Sequence, residues 1–178
     1  MDKFLECYHG TSKENAEKIL STRTYKESGQ DEWLGRGVYF FENDPRQAHK
    51  FVKVYKKLSD VDVRVLFTKL CVMEDKNMLD LMTDEDRDFI EEYERRLRAK
   101  IKRTLSPHNI YWKHKEGYVL DFLFEKNPYA LVRAAYDTPK RPRTEGFGYA
   151  QVQIQVCVKQ PSCIMQGTIK YHTAPIER

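Results

Sequence analysis

Apolar and polar residues largely alternate with period two along residues 61–73, where Val61, Val63, Val65, Phe67 and Lys69 oppose Asp62, Arg64, Leu66 and Thr68, and this predicts a strand with at least one covered face. The same period returns in "AQVQIQVCV" (150–158): Val152, Ile154, Val156 and Val158 face one way, Gln151, Gln153, Gln155 and Cys157 the other. "FLECYH" (4–9), "VYFF" (38–41) and "YALVRAAY" (129–136) are short apolar runs rich in β-branched and aromatic residues, and read as further strands. Helical spacing appears in four places. Thr11-Ser12-Lys13-Glu14 has the pattern of a capping box, with Thr11 as the cap, ahead of a helix that turns Ala16, Ile19 and Leu20 inward. Asp44 and Pro45 suit the start of a second helix with Ala48, Phe51, Val52 and Tyr55 on one stripe. Thr83-Asp84-Glu85-Asp86 opens a long amphipathic helix, to about residue 103, whose stripe is Phe89, Ile90, Tyr93, Leu97 and Ile101. A fourth helix is expected over 116–124, "MLDLM" reads as an edge or turn, and residues 21–33 and "DTPKRPRTEGFG" read as loops.

Strands and helices in this mixture predict an α+β fold, and 178 residues with 40% hydrophobic content suit one domain spanning 1–178. A net charge of +4, with charges of both signs interspersed, demands no nucleic acid or membrane but permits a polyanionic substrate. Four cysteines without a CxxC pair, and no leader before them, point to a reducing cytoplasm. No apolar run reaches the roughly 18 residues of a membrane helix. His49, His108, His114 and His172 are scattered without metal-ligand spacing, so no metal site is expected.

Two stretches carry candidate chemistry. In His9-Gly10-Thr11 an imidazole ends a strand, a residue without Cβ lets a ligand approach the backbone, and a hydroxyl sits at a helix start. A lone histidine at a strand end is more often structural. In "LGRGVYFFENDPRQAHKF" two glycines bracket an arginine and launch an aromatic strand, followed by a capped helix with Ala48. By itself this is an ordinary entry into a core strand. In this order, about 25 residues apart, the two motifs resemble the ADP-ribosyltransferases of the diphtheria-toxin and poly(ADP-ribose) polymerase class: H-G-[ST] ending the first strand, then G-x-G-[IV]-Y-F and a helix with an alanine.

The resemblance implies two small packed antiparallel sheets around an NAD cleft, with surrounding helices and a helical insertion near 83–127. It implies NAD as co-substrate, with His9 on the adenosine-side ribose, the Gly10 backbone on the nicotinamide carboxamide, Tyr39 stacked on the nicotinamide ring, and Thr11 and Gly37 beside the dinucleotide. A flat ring clamped between an aromatic face and a backbone donor–acceptor pair leaves its glycosidic carbon open to attack. The chain departs from the family at the third element, since the glutamate expected on a late strand is missing and Gln153 stands in its place, with Gln155 the neighbouring choice. Three explanations are open: a native glutamine site, which three alternating glutamines favour; an engineered inactivating change; or Glu145 swinging in from the preceding loop. A solvated sheet face is the plain alternative.

Lys140, Arg141 and Arg143 beside Tyr136, Phe147 and Tyr149 stand where such transferases recognise the acceptor, and could engage RNA or DNA; an ordinary basic loop reads equally well. The basic run "RRLRAKIKR" has the same two readings, and the glutamates before it favour a solvated face. The function implied is transfer of ADP-ribose from NAD to a macromolecular acceptor, nucleic acid or protein, by a cytoplasmic toxin of a toxin–antitoxin or anti-phage system, with an antitoxin as partner. The other class carried forward is a catalytically silent module that binds NAD or ADP-ribose.

Overall fold

A computed structural model of the chain describes residues 2–29, 32–73, 78–104, 115–137 and 152–174. β1 (Lys3–Ser12) runs directly into α1 (Lys13–Thr22), and the cap is Ser12, whose hydroxyl accepts the Asn15 N–H at 3.3 Å. Thr11, expected as the cap, is buried in β1, because strand alternation turns it towards the core and leaves Ser12 at the helix end. α1 buries Ala16 and Ile19 and ends at Arg23, which is left-handed and returns its N–H to the Ile19 carbonyl. β2 (Val38–Glu42) leads into α2 (Pro45–Tyr55), where Asp44 caps the Gln47 N–H at 3.0 Å and Pro45 takes the first turn, as predicted. α2 buries Ala48 and Val52, but Phe51 and Tyr55, expected on the same stripe, are exposed and lie against each other at 4.9 Å. Ala48 and Val52 seat the helix on the sheet, and Phe51 covers the edge of that contact with its ring 5.8 Å from that of Phe41.

β3 (Val63–Val72) is the predicted strand but starts after the exposed Val61, and both its faces are covered, with Leu66, Thr68 and Leu70 buried on one and Val63 and Val65 on the other; "MLDLM" contributes β4 (Met78–Asp80), a three-residue strand. The long helix α3 (Asp84–Thr104) leans Ile90 and Tyr93 on the core and leaves Phe89 exposed. Its Arg95 and Arg96 pair with Glu92, and Arg98 with Glu94, so these basic residues sit on a solvated, internally paired face. α4 (Lys115–Lys126), β5 (Leu131–Asp137), β6 (Val152–Val158), two 3-10 turns at Pro161–Cys163 and Gln166–Thr168, and β7 (Lys170–Tyr171) complete the described chain.

The seven strands form one mixed sheet in the order β4-β5-β6-β2-β1-β3-β7, antiparallel except for β4 beside β5. This α+β arrangement replaces the two small antiparallel sheets expected. The join is short: β1 and β2 are in register at Cys7 with Glu42 and Tyr8 with Phe41, beyond which β1 follows β3 and β2 follows β6. Those two pairs suffice to make the hydrogen-bonded order continuous. α3 and α4, expected as an insertion, form the crossover that parallel β4 and β5 require.

Both faces of the sheet are covered. On one, Leu5, Cys7, Phe40, Leu66, Leu131 and Val156 build the main core with Ala16, Ile19 and Tyr25. On the other, Phe41 and Val65 lie under Ala48, while Leu79, Val132, Ala134 and Cys157 lie under Leu120 and Leu123 of α4. None of the four cysteines is in a disulfide, and no described helix is long and apolar enough to cross a membrane.

Candidate functional site

Alternation along β1 turns His9 to the main-core face, edge-on to the rings of Tyr25 at 5.1 Å and Phe40 at 5.7 Å. Its Nδ1 lies 2.8 Å from the Tyr39 backbone carbonyl, across the gap where β1 and β2 part. A carbonyl only accepts, so Nδ1 carries the proton and Nε2 the lone pair. Burial lowers the imidazole pKa to about 4; the carbonyl bond opposes this and Lys56 adds to it. His9 is therefore neutral at neutral pH.

Tyr39 is the next-but-one residue from Phe41 on β2 and turns to the opposite face. Its hydroxyl accepts the Leu34 N–H at 2.8 Å and donates to the Gly35 carbonyl at 2.7 Å. Burial, with Cys157 behind the ring, pushes its phenol far above the ordinary tyrosine range. The Cys157 thiol is itself raised, to about 12, chiefly by burial, which leaves it inert as a nucleophile. The structure thus joins the His9 imidazole to the backbone of Tyr39, while the two rings occupy opposite faces of the sheet.

Each glycine of the two motifs has a close neighbour that explains it. A Cβ on Gly10 would come within 2.0 Å of the Ala48 carbonyl oxygen, so the approach expected of a ligand is made on this face by α2. Gly37 passes β6 so closely that a Cβ would meet the Cys157 Sγ and the Val158 carbonyl, both at 2.5 Å. Gly35 is left-handed, and a Cβ there would lie 2.2 Å from Asp121 Oδ1. Thr11 is buried beside Gly10 in β1.

Two residues that sequence reading missed hold this turn. The Lys159 ammonium, only 2% exposed, donates to the carbonyls of Leu34 (2.8 Å) and Arg36 (2.7 Å) and to Asp121 (2.8 Å). Asp121 in turn accepts the Arg36 N–H at 2.9 Å. The signal was a single charge inside an apolar run: an acid in "YVLDFLF" and a lysine ending "VQIQVCVK". Arg133 in "ALVRAAY" is a third case. On the main-core face it donates to Glu42 at 2.5 and 2.9 Å and to Asp80 at 2.9 Å.

β6 lies next to β2 with Cys157 opposite Tyr39 and Gln155 opposite Phe41. Gln155 is therefore the diagonal neighbour of Tyr39 on the same face, roughly 7–8 Å away and within reach of a long side chain. Gln153 stands opposite Tyr136, whose ring is edge-on to the exposed Trp33 at 5.4 Å. Both glutamines are half-buried. Glu42, the acid at the end of β2, points to the other face and is held by Arg133. Lys140, Arg141, Arg143, Glu145, Phe147, Tyr149 and Gln151, with His108 and His114, lie outside the described residues. Among the described residues no three His, Cys, Asp or Glu side chains gather as metal ligands would.

No family model matches the chain, and no solved structure matches it. It is similar to a protein of Methanocaldococcus jannaschii described as uncharacterized, MJ0359, at 25% identity over 90% of this chain and 84% of that protein.

Proposed function

We propose that the chain is an NAD-dependent ADP-ribosyltransferase, acting where β1 and β2 part. The observation that carries this reading is the placement of the two motifs. Although the sequence separates them by about 25 residues, the fold sets them on neighbouring strands and bridges them through His9 and the Tyr39 carbonyl; the His9 ring lies on the other face, so in this reading it positions the Tyr39 backbone instead of holding the adenosine-side ribose. Gln155 stands on the Tyr39 face in the strand beyond, where the family resemblance asks for the residue that contacts the nicotinamide ribose. In this reading Tyr39, fixed by Leu34 and Gly35, offers its ring face to nicotinamide. Gln155 or Gln153 hydrogen-bonds the ribose that gains oxocarbenium character as nicotinamide leaves. An amide supplies a dipole and no charge, so transfer is expected to be slow relative to an enzyme with a carboxylate there. The acceptor is a macromolecule, and a toxin restrained by a partner protein is the biological role the resemblance suggests.

A silent NAD-binding module is favoured by one observation: the single acid of β2, Glu42, is turned away from Tyr39 and neutralised by Arg133. Calorimetry with NAD, followed by incubation with labelled NAD and separate RNA, DNA and protein pools, divides the readings. Transfer predicts label in one pool and released nicotinamide, both reduced at least tenfold by Gln155→Ala or Gln153→Ala. NAD binding without nicotinamide release identifies the module. No association at millimolar NAD rules out both.

A further inference from the structure

A second feature on the Tyr39 face lies at the far side of β1. Tyr8, Phe67, Lys170, Tyr171, His172 and Thr173 line a cavity of about 240 Å³. β7 builds it by pairing Lys170 with Phe67 and Tyr171 with Leu66, and the His172 N–H donates to the Val65 carbonyl at 2.9 Å. The Tyr8 ring stands edge-on to Phe67 at 5.6 Å and to His172 at 5.2 Å, and the Lys170 ammonium sits 5.2 Å from the Phe67 ring centre. The lining holds no acid; the nearby Glu6, next but one to Tyr8 on β1, is paired with Lys69 at 3.2 Å.

We propose that this cavity anchors one nucleotide of a single-stranded nucleic acid, with the base against the aromatic walls and a phosphate against Lys170. This rests on the transferase reading and names its acceptor class. Three observations favour that occupant. Aromatic rings beside an ammonium that no described carboxylate pairs suit a base followed by a phosphate, since every base has a stackable face and the backbone charge is regular. The volume falls below the roughly 300–1,000 Å³ of pockets for drug-sized ligands, so it suits a single nucleotide base rather than a whole dinucleotide such as NAD. Finally, the registers place Lys170, Phe67, Tyr8, Phe41 and Gln155 in one row across five strands. Tyr8 and Gln155 are two strands apart, about 10 Å, on the same face of the sheet, with Phe41 buried under α2 between them.

The test is fluorescence anisotropy of the full chain with labelled 12-mers of oligo-dT and oligo-U, and a duplex of equal length, all without NAD. The proposal expects a single strand to bind more tightly than the duplex, and the DNA and RNA arms tell which acceptor is preferred. Tyr8→Leu, which keeps an apolar side chain, should weaken binding roughly five- to a hundredfold. Lys170→Ala should flatten the slope of log K against log salt by about 0.7. His172→Ala serves as a second wall variant should Tyr8→Leu fail to fold. If the parent does not bind single strands, or the folded variants bind as the parent does, the subsite is overturned. Because NAD is absent from this assay and calorimetry reads NAD separately, losing one leaves the other measurable.

Discussion

An imidazole kept neutral by burial makes stability depend on pH. Unfolded, His9 takes a proton near its ordinary pKa of 6.5; folded, it does so only near 4. Between those values the unfolded chain binds more protons, so stability is complete above about pH 6.5 and is lost as pH falls towards 4. The full shift is discounted because His9 is only partly covered, which leaves on the order of 1–2 kcal/mol. Urea unfolding at pH 7 and pH 5 checks this: the parent should lose that amount, and His9→Gln should lose clearly less. Parallel losses would assign the pH dependence to other groups. The sequence singled out this histidine, but it could not show that the ring would reach a backbone carbonyl thirty positions away.

Between elements, glycines act as spacers. Gly10 lets α2 lie so close to β1 that a methyl group would strike the Ala48 carbonyl, a rigid backbone atom that cannot swing aside. Gly10→Ala should therefore cost about 1–3 kcal/mol, read as a lower urea midpoint with an unchanged slope. An unaltered midpoint would mean that α2 shifts freely. Because that variant disturbs packing, loss of NAD binding in it would say nothing about a ligand contact. Element boundaries were largely legible: Asp44 and Pro45 start α2 as read, and the alternation of residues 152–158 sorts Val156 from Gln155 correctly. Phe51 and Tyr55 were misplaced because helical spacing reports a stripe and not its width.

At the scale of the whole molecule, the β1–β3–β7 and β2–β6–β5–β4 portions of the sheet meet at two register pairs, which the His9 bond to the Tyr39 carbonyl reinforces. Within the second portion Arg133 on β5 ties Glu42 at the end of β2 to Asp80 on β4, and across the join Lys3 of β1 approaches Asp80 at 3.7 Å. Removing the guanidinium leaves two buried carboxylates facing each other. Arg133→Met should cost about 3–5 kcal/mol in urea unfolding, and adding Glu42→Gln with Asp80→Asn should recover part of it. If the neutral amides restore nothing, the cost belongs to packing and not to unpaired charge.

The sequence by itself determined most of the strands, the helices, the Asp44 cap and the two motifs, because period, capping chemistry and turn residues are properties of neighbouring positions. Tertiary structure alone decided the single sheet, the parallel crossover and the facing of His9 and Tyr39. It also decided the partners of Lys159, Asp121 and Arg133. Each of these depends on which strands pair and in what register, and that is set by distant apolar surfaces burying one another. A one-residue slip of β6 against β2 and β5 would turn its glutamines to the other face while leaving the local pattern unchanged.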